Sequence, residues 1–378
     1  MANIKRANKK KPNYKRIAMV LGLIAAVIVV IFLINHFKTY KGYRVISEVE
    51  IAGKVSETKY FPLGQGYVKY SNDGISYIYD GEIAWTKAFE MTNPVLDSNG
   101  IYCAVGALKS SEVYLFSSEG EVGVINTSYP IIDVEVSDYG VIAALMQDNN
   151  INYIELKDKD GNLLAQGRTS FEGSGFPLDI AISPDGTTLA VSYLCVSNGV
   201  TTSRVVFYDY TDKGDIETDR IKAGFDFEGS VIPTLYYADA TSVYAVGDNV
   251  IATFNAGGKV ELKDKKEVDS EIKSVFFGEG KLGVVTVDEE DSSLRRVSIY
   301  DKSGKIDGQF STDFRYQDIE MISGGVLMYS TEKCRIYTYD GKEKFDTSFD
   351  NSVVYMMGIG SNRYILATSD KMQIIKLT

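Results

Sequence analysis

Along most of the chain, apolar and polar residues alternate in short runs, and compact clusters of Gly, Asp, Ser and Asn interrupt them at regular intervals. Alternation with period two marks a strand that buries one face and exposes the other. Eight clusters each join two such runs, strands a and b. They are Gly64-Gln65-Gly66, Asp97-Ser98-Asn99-Gly100, Ser137-Asp138-Tyr139-Gly140, Ser183-Pro184-Asp185-Gly186, Ala238-Asp239-Ala240-Thr241, Gly278-Glu279-Gly280, Ser323-Gly324-Gly325 and Gly358-Ile359-Gly360-Ser361-Asn362.

A second hairpin, strands c and d, follows each a–b pair. Tyr153-Ile154-Glu155-Leu156-Lys157-Asp158-Lys159-Asp160-Gly161-Asn162-Leu163-Leu164 and Arg335-Ile336-Tyr337-Thr338-Tyr339-Asp340-Gly341-Lys342 are two of seven complete copies. In the eighth unit strand c, Met372–Thr378, ends the chain. The missing strand d is available upstream, where Arg44-Val45-Ile46-Ser47-Glu48-Val49-Glu50-Ile51 alternates cleanly. Self-similarity of all-β sequence at roughly 35–55 residues predicts a propeller. The expectation is an all-β, eight-bladed β-propeller over residues 44–378, its last blade completed by the N-terminal strand, which leaves no open edge. Merging of one weak unit, the fifth, would leave seven blades.

The N-terminus follows different rules. Residues 1–16 hold Lys5, Arg6, Lys9, Lys10, Lys11, Lys15 and Arg16 and no acid, and Ile17 to Ile34 runs without a charge. About twenty helical residues cross the ~30 Å hydrocarbon layer. The run ends in bulky residues, Val-Ile-Phe-Leu-Ile-Asn-His-Phe, where a signal peptidase needs small ones. Residues 1–16 therefore read as a cytoplasmic basic tail, 17–37 as one uncleaved transmembrane helix and 38–43 as a short tether. The excess of cations before the span predicts an N-in, C-out, single-pass topology with the propeller extracellular, close to the bilayer.

Composition narrows the chemistry. The net charge of −11 argues against a nucleic-acid partner. Cys103, Cys195 and Cys334 are widely spaced in apolar runs and read as small buried hydrophobes, a long-range Cys103–Cys334 bridge being the alternative. The single histidine, His36, lies at the end of the apolar run, which leaves the propeller without a Ser-His-Asp or Cys-His apparatus or a histidine metal site. No glycine-rich nucleotide loop stands between a strand and a helix, so no cofactor is expected. Asp158-Lys159-Asp160-Gly161-Asn162 reads as a plain turn in preference to a calcium loop, and Asp288-Glu289-Glu290-Asp291 as a solvated charged loop.

Ser183-Pro184-Asp185-Gly186 with Leu189-Ala190-Val191-Ser192 resembles the recurring turn of TolB-like and WD-repeat propellers, and Tyr79-Asp80-Gly81-Glu82-Ile83-Ala84-Trp85 resembles one blade of quinoprotein-like propellers. Trp85 is the only tryptophan, so the repeated tryptophan docking of quinoproteins is absent. The whole layout resembles an uncharacterised family of single-pass, membrane-anchored β-propeller proteins from Gram-positive gut anaerobes. That resemblance implies fold and topology and carries no activity.

The d–a and b–c connections of a propeller share one face. On it the sequence places Tyr129, Phe171, Glu172, Phe176, Phe225, Asp226, Phe227, Glu228, Phe314 and Tyr316, aromatics interleaved with acids that suit a sugar chain or a cationic peptide. The longest b–c loop, 196–203, is expected on the same side. The function these features favour is a membrane-anchored binding or scaffolding module for envelope proteins or wall polymers, touching the bilayer through residues 17–37 and performing no catalysis. The alternative is a carboxylate-dependent enzyme acting on envelope glycans. A cluster of inward acids, such as Asp133, Glu135, Asp179 and Glu320, beside an open pocket would favour the enzyme.

Overall fold

A computed structural model describes residues 38–50, 58–170, 174–197, 199–211, 220–360, 362–368 and 371–378, with Met19, Gly22 and Leu23. The chain divides into two units, Met1–Tyr40 and Lys41–Thr378. The predicted basic tail and all but three residues of the predicted span lie outside the described residues. No helix among the described residues is long and apolar enough to cross a membrane. In the first unit the Lys38 ammonium lies 4.8 Å from the centre of the Tyr40 ring.

The second unit consists of eight four-stranded antiparallel sheets. Seven are meanders of consecutive strands, spanning 59–88, 94–126, 131–170, 176–228, 234–267, 272–312 and 318–348. The eighth runs through 353–377 and takes its outermost strand, Tyr43–Glu50, from the N-terminus. That strand pairs antiparallel to Lys371–Leu377, with Arg44 opposite Lys376 and Glu48 opposite Gln373. Lys41 N–H donates to the Thr378 carbonyl at 3.0 Å, and Thr378 N–H to that of Gly42 at 2.9 Å. The ring is an eight-bladed propeller closed as the alternation predicts, and the fifth unit, residues 234–267, stands as a blade of its own.

Turn chemistry sets each blade. Gly161 and Gly304 sit at φ +84° and +82° in the c–d turns, a region that costs other residues a steric clash. In the first of these turns the Asp158 carboxylate accepts the N–H groups of Asp160 and Asn162, and Asp301 does the same for Ser303 and Lys305. Asp158 is thus a turn former. The core lies between blades, as in the cluster of Phe207, Phe227, Phe254 and Leu235 between blades 4 and 5. Cys103 and Cys334 are buried, Cys195 is half-buried, and all three thiols are free.

Two local expectations need correction. Residues 196–203 form no long loop: strands Thr188–Ser197 and Val200–Asp209 continue into a hairpin closed by Ser197 pairing with Val200. Asp288 is not a solvated loop residue. It is 6% exposed, accepts the Glu290 and Asp291 N–H groups and the Ser311 hydroxyl, and faces Arg296, so its carboxyl is held below the usual range first by the Ser311 bond.

Candidate functional site: the inner strands and the loop face

The innermost strands converge around the ring axis, and side chains bridge each seam. Asp97 Oδ2 accepts the Val136 N–H of the next blade at 2.8 Å, and Asp179 Oδ2 accepts the Leu235 N–H at 2.6 Å. Glu135 accepts the Ile182 N–H, and Glu320 Oε2 the Gly358 N–H at 3.2 Å. The remaining seams use neutral groups. Ser98 donates to the Pro62 carbonyl at 3.1 Å, and Ser274 and Tyr316 share a hydroxyl bond at 2.8 Å. Tyr236 stacks on Phe277 at 4.3 Å, and Tyr60 on Tyr355 at 4.9 Å across the closing seam. The inner edge of a blade presents unpaired N–H groups, which need an acceptor when buried. Here carboxylates of the preceding blade supply it.

Bulges aim some of these groups. The register slips before Asp133, Asp179, Ser274 and Tyr355, each on an innermost strand. A bulge bends the strand and redirects the side chain that follows.

Electrostatics follow from burial. Desolvation pushes the Asp97 and Asp133 carboxyls up to about 6, Asp179 to about 7 and Glu320 to about 8, against the bonds that Val136, Val134, Leu235 and Gly358 donate. Burial raises Glu135 well above the ordinary range, and the neighbouring charges of Asp97, Asp133 and Asp179 add to it. Asp133, Glu135 and Asp179 therefore come together as expected, with Asp97 as a fourth member that the sequence reading did not single out. Glu320 belongs to a separate group with Asp318 and Tyr329, whose hydroxyl donates to Asp318 at 3.1 Å. Among the described residues no group of three or more His, Cys, Asp or Glu is placed to hold a metal ion.

The residues expected on the loop face divide sharply. Phe225, Asp226, Phe227 and Glu228 lie on the outermost strand of blade 4, Ile221–Glu228, instead of in a connection. Phe227 is 2% exposed and meets Phe254 edge-on at 6.2 Å, while Phe225 packs against Phe207 and Phe254. Phe314 is buried as well, under the Arg335 guanidinium at 5.2 Å. These three rings fill gaps between strands and blades. Tyr129 is half-buried and stacks on Tyr153 at 4.1 Å, and Tyr316 is half-buried on its Ser274 bond. Phe176 is 42% exposed at the start of its strand. Asp226 and Glu228 are exposed, Asp226 in a two-bond pair with Arg204 at 2.6 and 3.1 Å. Phe171 and Glu172 lie outside the described residues.

Residues 36–377 match a family of unknown function, DUF5711. The chain belongs to that family. No curated protein matches it. Among solved structures, BamB from Moraxella catarrhalis is similar over 89% of this chain and all of its own, at 13% identity and a TM-score of 0.55. Saccharomyces cerevisiae Sqt1 is similar over 90% of this chain and 99% of its own, at 11% identity and a TM-score of 0.57. The computationally designed Ika8 protein gives 12% identity and 0.55 over 90% of this chain and all of its own. At such identities the likeness is one of fold.

Proposed function

We propose that this propeller is a binding module, tethered to a membrane by residues 17–37 with the ring outside, that grips an envelope protein or wall polymer through its loop face. The observation that carries the reading is the commitment of the inner acids: Asp97, Glu135, Asp179 and Glu320 each hold a backbone N–H of the next blade. Carboxylates fixed in that way make the ring rigid and leave its outer faces for contact. The ring's N-terminal strand begins beside Thr378, at the face that carries the a–b and c–d turns. Exposed aliphatic residues recur at the starts of the outermost strands on that side, among them Ile83, Leu163, Leu262 and Ile306. The opposite face, with Phe176, Tyr129, Tyr316 and Glu228, is the one we assign to a partner.

Photo-cross-linking from position 129, on the same face, in native membranes tests the proposal. One envelope partner should be captured, and Phe176→Ser combined with Glu228→Gln should abolish capture without altering the melting temperature. Undiminished capture by that variant would remove the loop face from the function. Labelling of Phe176→Cys, in a Cys195→Ser background, by an impermeant maleimide on intact cells tests the topology, and failure to label places the ring inside.

The carboxylate-enzyme alternative rests on Asp133, whose carboxylate bonds only the adjacent Val134 N–H among the described residues. Under that reading Asp133→Asn abolishes turnover of an envelope glycan by the wild-type protein; under ours there is no turnover to lose.

A further inference from the structure

Blade 8 carries an unbalanced column of cations at its turn end. Arg44 stands directly opposite Lys376, and Lys376 directly opposite Arg363, across three neighbouring strands. Residues paired in this way share a face with Cβ atoms about 4.5–5.5 Å apart, and like charges so placed repel one another. The shared face is the one turned to blade 1, since Arg363 and Ile374, two residues from Lys376, line the cavity between the two blades. Among the described residues the only ion-pair partner of the column is Asp80. Its carboxylate lies 3.7 Å from the Arg363 guanidinium, and the buried Nε of Arg363 has no hydrogen-bond partner.

The cavity beside the column measures about 450 Å³, and its lining includes Gln65, Tyr79, Asp80 and Ile359. At its mouth the Gly81 backbone lies so close to Ser47 that an added Cβ would meet the Ser47 Oγ at 2.8 Å. The c–d turn of blade 1 therefore rests on the outer strand of blade 8. Large exposed apolar residues flank that contact, with Val45 and Ile46 just before Ser47, and Tyr79 and Ile83 on either side of Gly81. Val122, Leu262 and Ile306 are exposed at matching stations on the outer strands of blades 2, 5 and 6. Equivalent stations on successive blades lie around a circle, so a planar partner meets them together.

Chain length says which plane. The outer strand of blade 8 starts at Tyr43 on this face, and residues 38–43 follow the apolar run that ends at Phe37. At no more than about 3.5 Å each, six residues reach about 20 Å. We infer that the turn face of blades 8 and 1 docks on an anionic bilayer, with Arg44, Lys376 and Arg363 holding lipid phosphates at the cavity mouth. Val45, Ile46, Tyr79 and Ile83 enter the headgroup region beside them. The inference rests on the membrane-tether reading above and adds the orientation of the ring. In a chain of net charge −11, a local column of cations also decides which face an anionic surface attracts.

The test uses the full chain reconstituted in vesicles of phosphatidylglycerol or of phosphatidylcholine, each carrying a lipid with a nitroxide on its headgroup. In a Cys195→Ser background, a fluorophore on Ile101→Cys, exposed beside Gly64 on the turn face, reports docking, and one on Phe176→Cys reports the opposite face. In phosphatidylglycerol, quenching at position 101 should exceed that at 176 at least roughly threefold, because strands of six residues hold the two faces about 20 Å apart. The excess should fall by more than about half in phosphatidylcholine and in Arg44→Gln/Lys376→Gln, since each cation near an anionic surface contributes about 1 kcal/mol. That variant should keep or raise its melting temperature, because it relieves like-charge repulsion. Ile46→Asp/Ile83→Asp should reduce the excess as well. Protein that floats with the vesicles but is quenched equally at both positions overturns the docking and leaves the tether standing. Protein that does not float overturns the tether and the docking with it. Reversal of the quenching by free glycerol phosphate assigns the cations to a soluble phosphate and also overturns the docking.

Discussion

Asp179, on the innermost strand of blade 4, accepts the backbone N–H of Leu235 in blade 5 at 2.6 Å, across 56 residues of sequence. The same relationship joins Asp97 to Val136 and Glu320 to Gly358. A propeller has to satisfy inner-edge N–H groups that its own sheets cannot reach, and this chain does so with acids. At about pH 5, where its carboxyl is protonated, Asp179→Leu should therefore destabilise the ring by roughly 1–3 kcal/mol, the cost of leaving the buried Leu235 N–H without an acceptor. Asp179→Asn keeps a carbonyl acceptor and should cost less than about half as much. Urea unfolding followed by fluorescence measures both, and equal losses would mean that packing alone matters at this position.

Burial separates the aromatic residues expected on the loop face into two kinds. Phe227→Ala should cost about 3–5 kcal/mol, because it opens a hole against Phe254. Phe176→Ser, at a ring that stays 42% exposed, should cost clearly less. Thermal unfolding of the two variants checks this contrast.

Ring closure rests on one N-terminal strand. Deleting residues up to 50 exposes the edge of Lys371–Leu377, with its row of unpaired backbone groups. The truncated protein should self-associate and lose its single cooperative transition. A monodisperse monomer of wild-type stability in sedimentation would contradict the role given to Tyr43–Glu50.

Much of this architecture was legible because turn chemistry is local. Gly161 and Gly304 mark their turns by a conformation few other residues adopt, and the alternation of Arg44 to Glu50 declared a strand that lacked a neighbour. The placement of Phe225 and Phe227 was legible too, had the strand been extended. Residues two apart share a face, so both rings go inward while Asp226 and Glu228 go out. The inner acid bonds were not legible in detail. Asp97 and Val136 stand 39 residues apart, and nothing local marks an N–H as unsatisfied. The burial of Asn152 was not legible either, because an Asn in a strand reads as an exposed position until packing shows otherwise.

The pH dependence of stability bears most directly on the claim that the inner acids are structural. Asp and Glu titrate near 4 when unfolded. In the ring burial raises Asp97 and Asp133 to about 6, Asp179 to about 7 and Glu320 to about 8, and lifts Glu135 as well. Between these limits the folded state holds more protons than the unfolded one, so stability falls as pH rises. The contribution of this set is complete below about 4 and is lost progressively as pH passes through about 6 to about 8. Acids held low work in the opposite sense: Asp226, bonded by Arg204, loses its contribution as pH falls below about 4.

The decisive measurement is the urea midpoint at a series of values from about pH 5 to about pH 8, for the wild type and for Asp97→Asn/Glu135→Gln/Asp179→Asn. The wild-type midpoint should decline steadily with rising pH, and the triple variant should remain cooperatively folded with a clearly shallower slope, Asp133 and Glu320 supplying what is left. An identical slope in the two proteins would mean that these carboxyls are not buried between the blades as their geometry indicates.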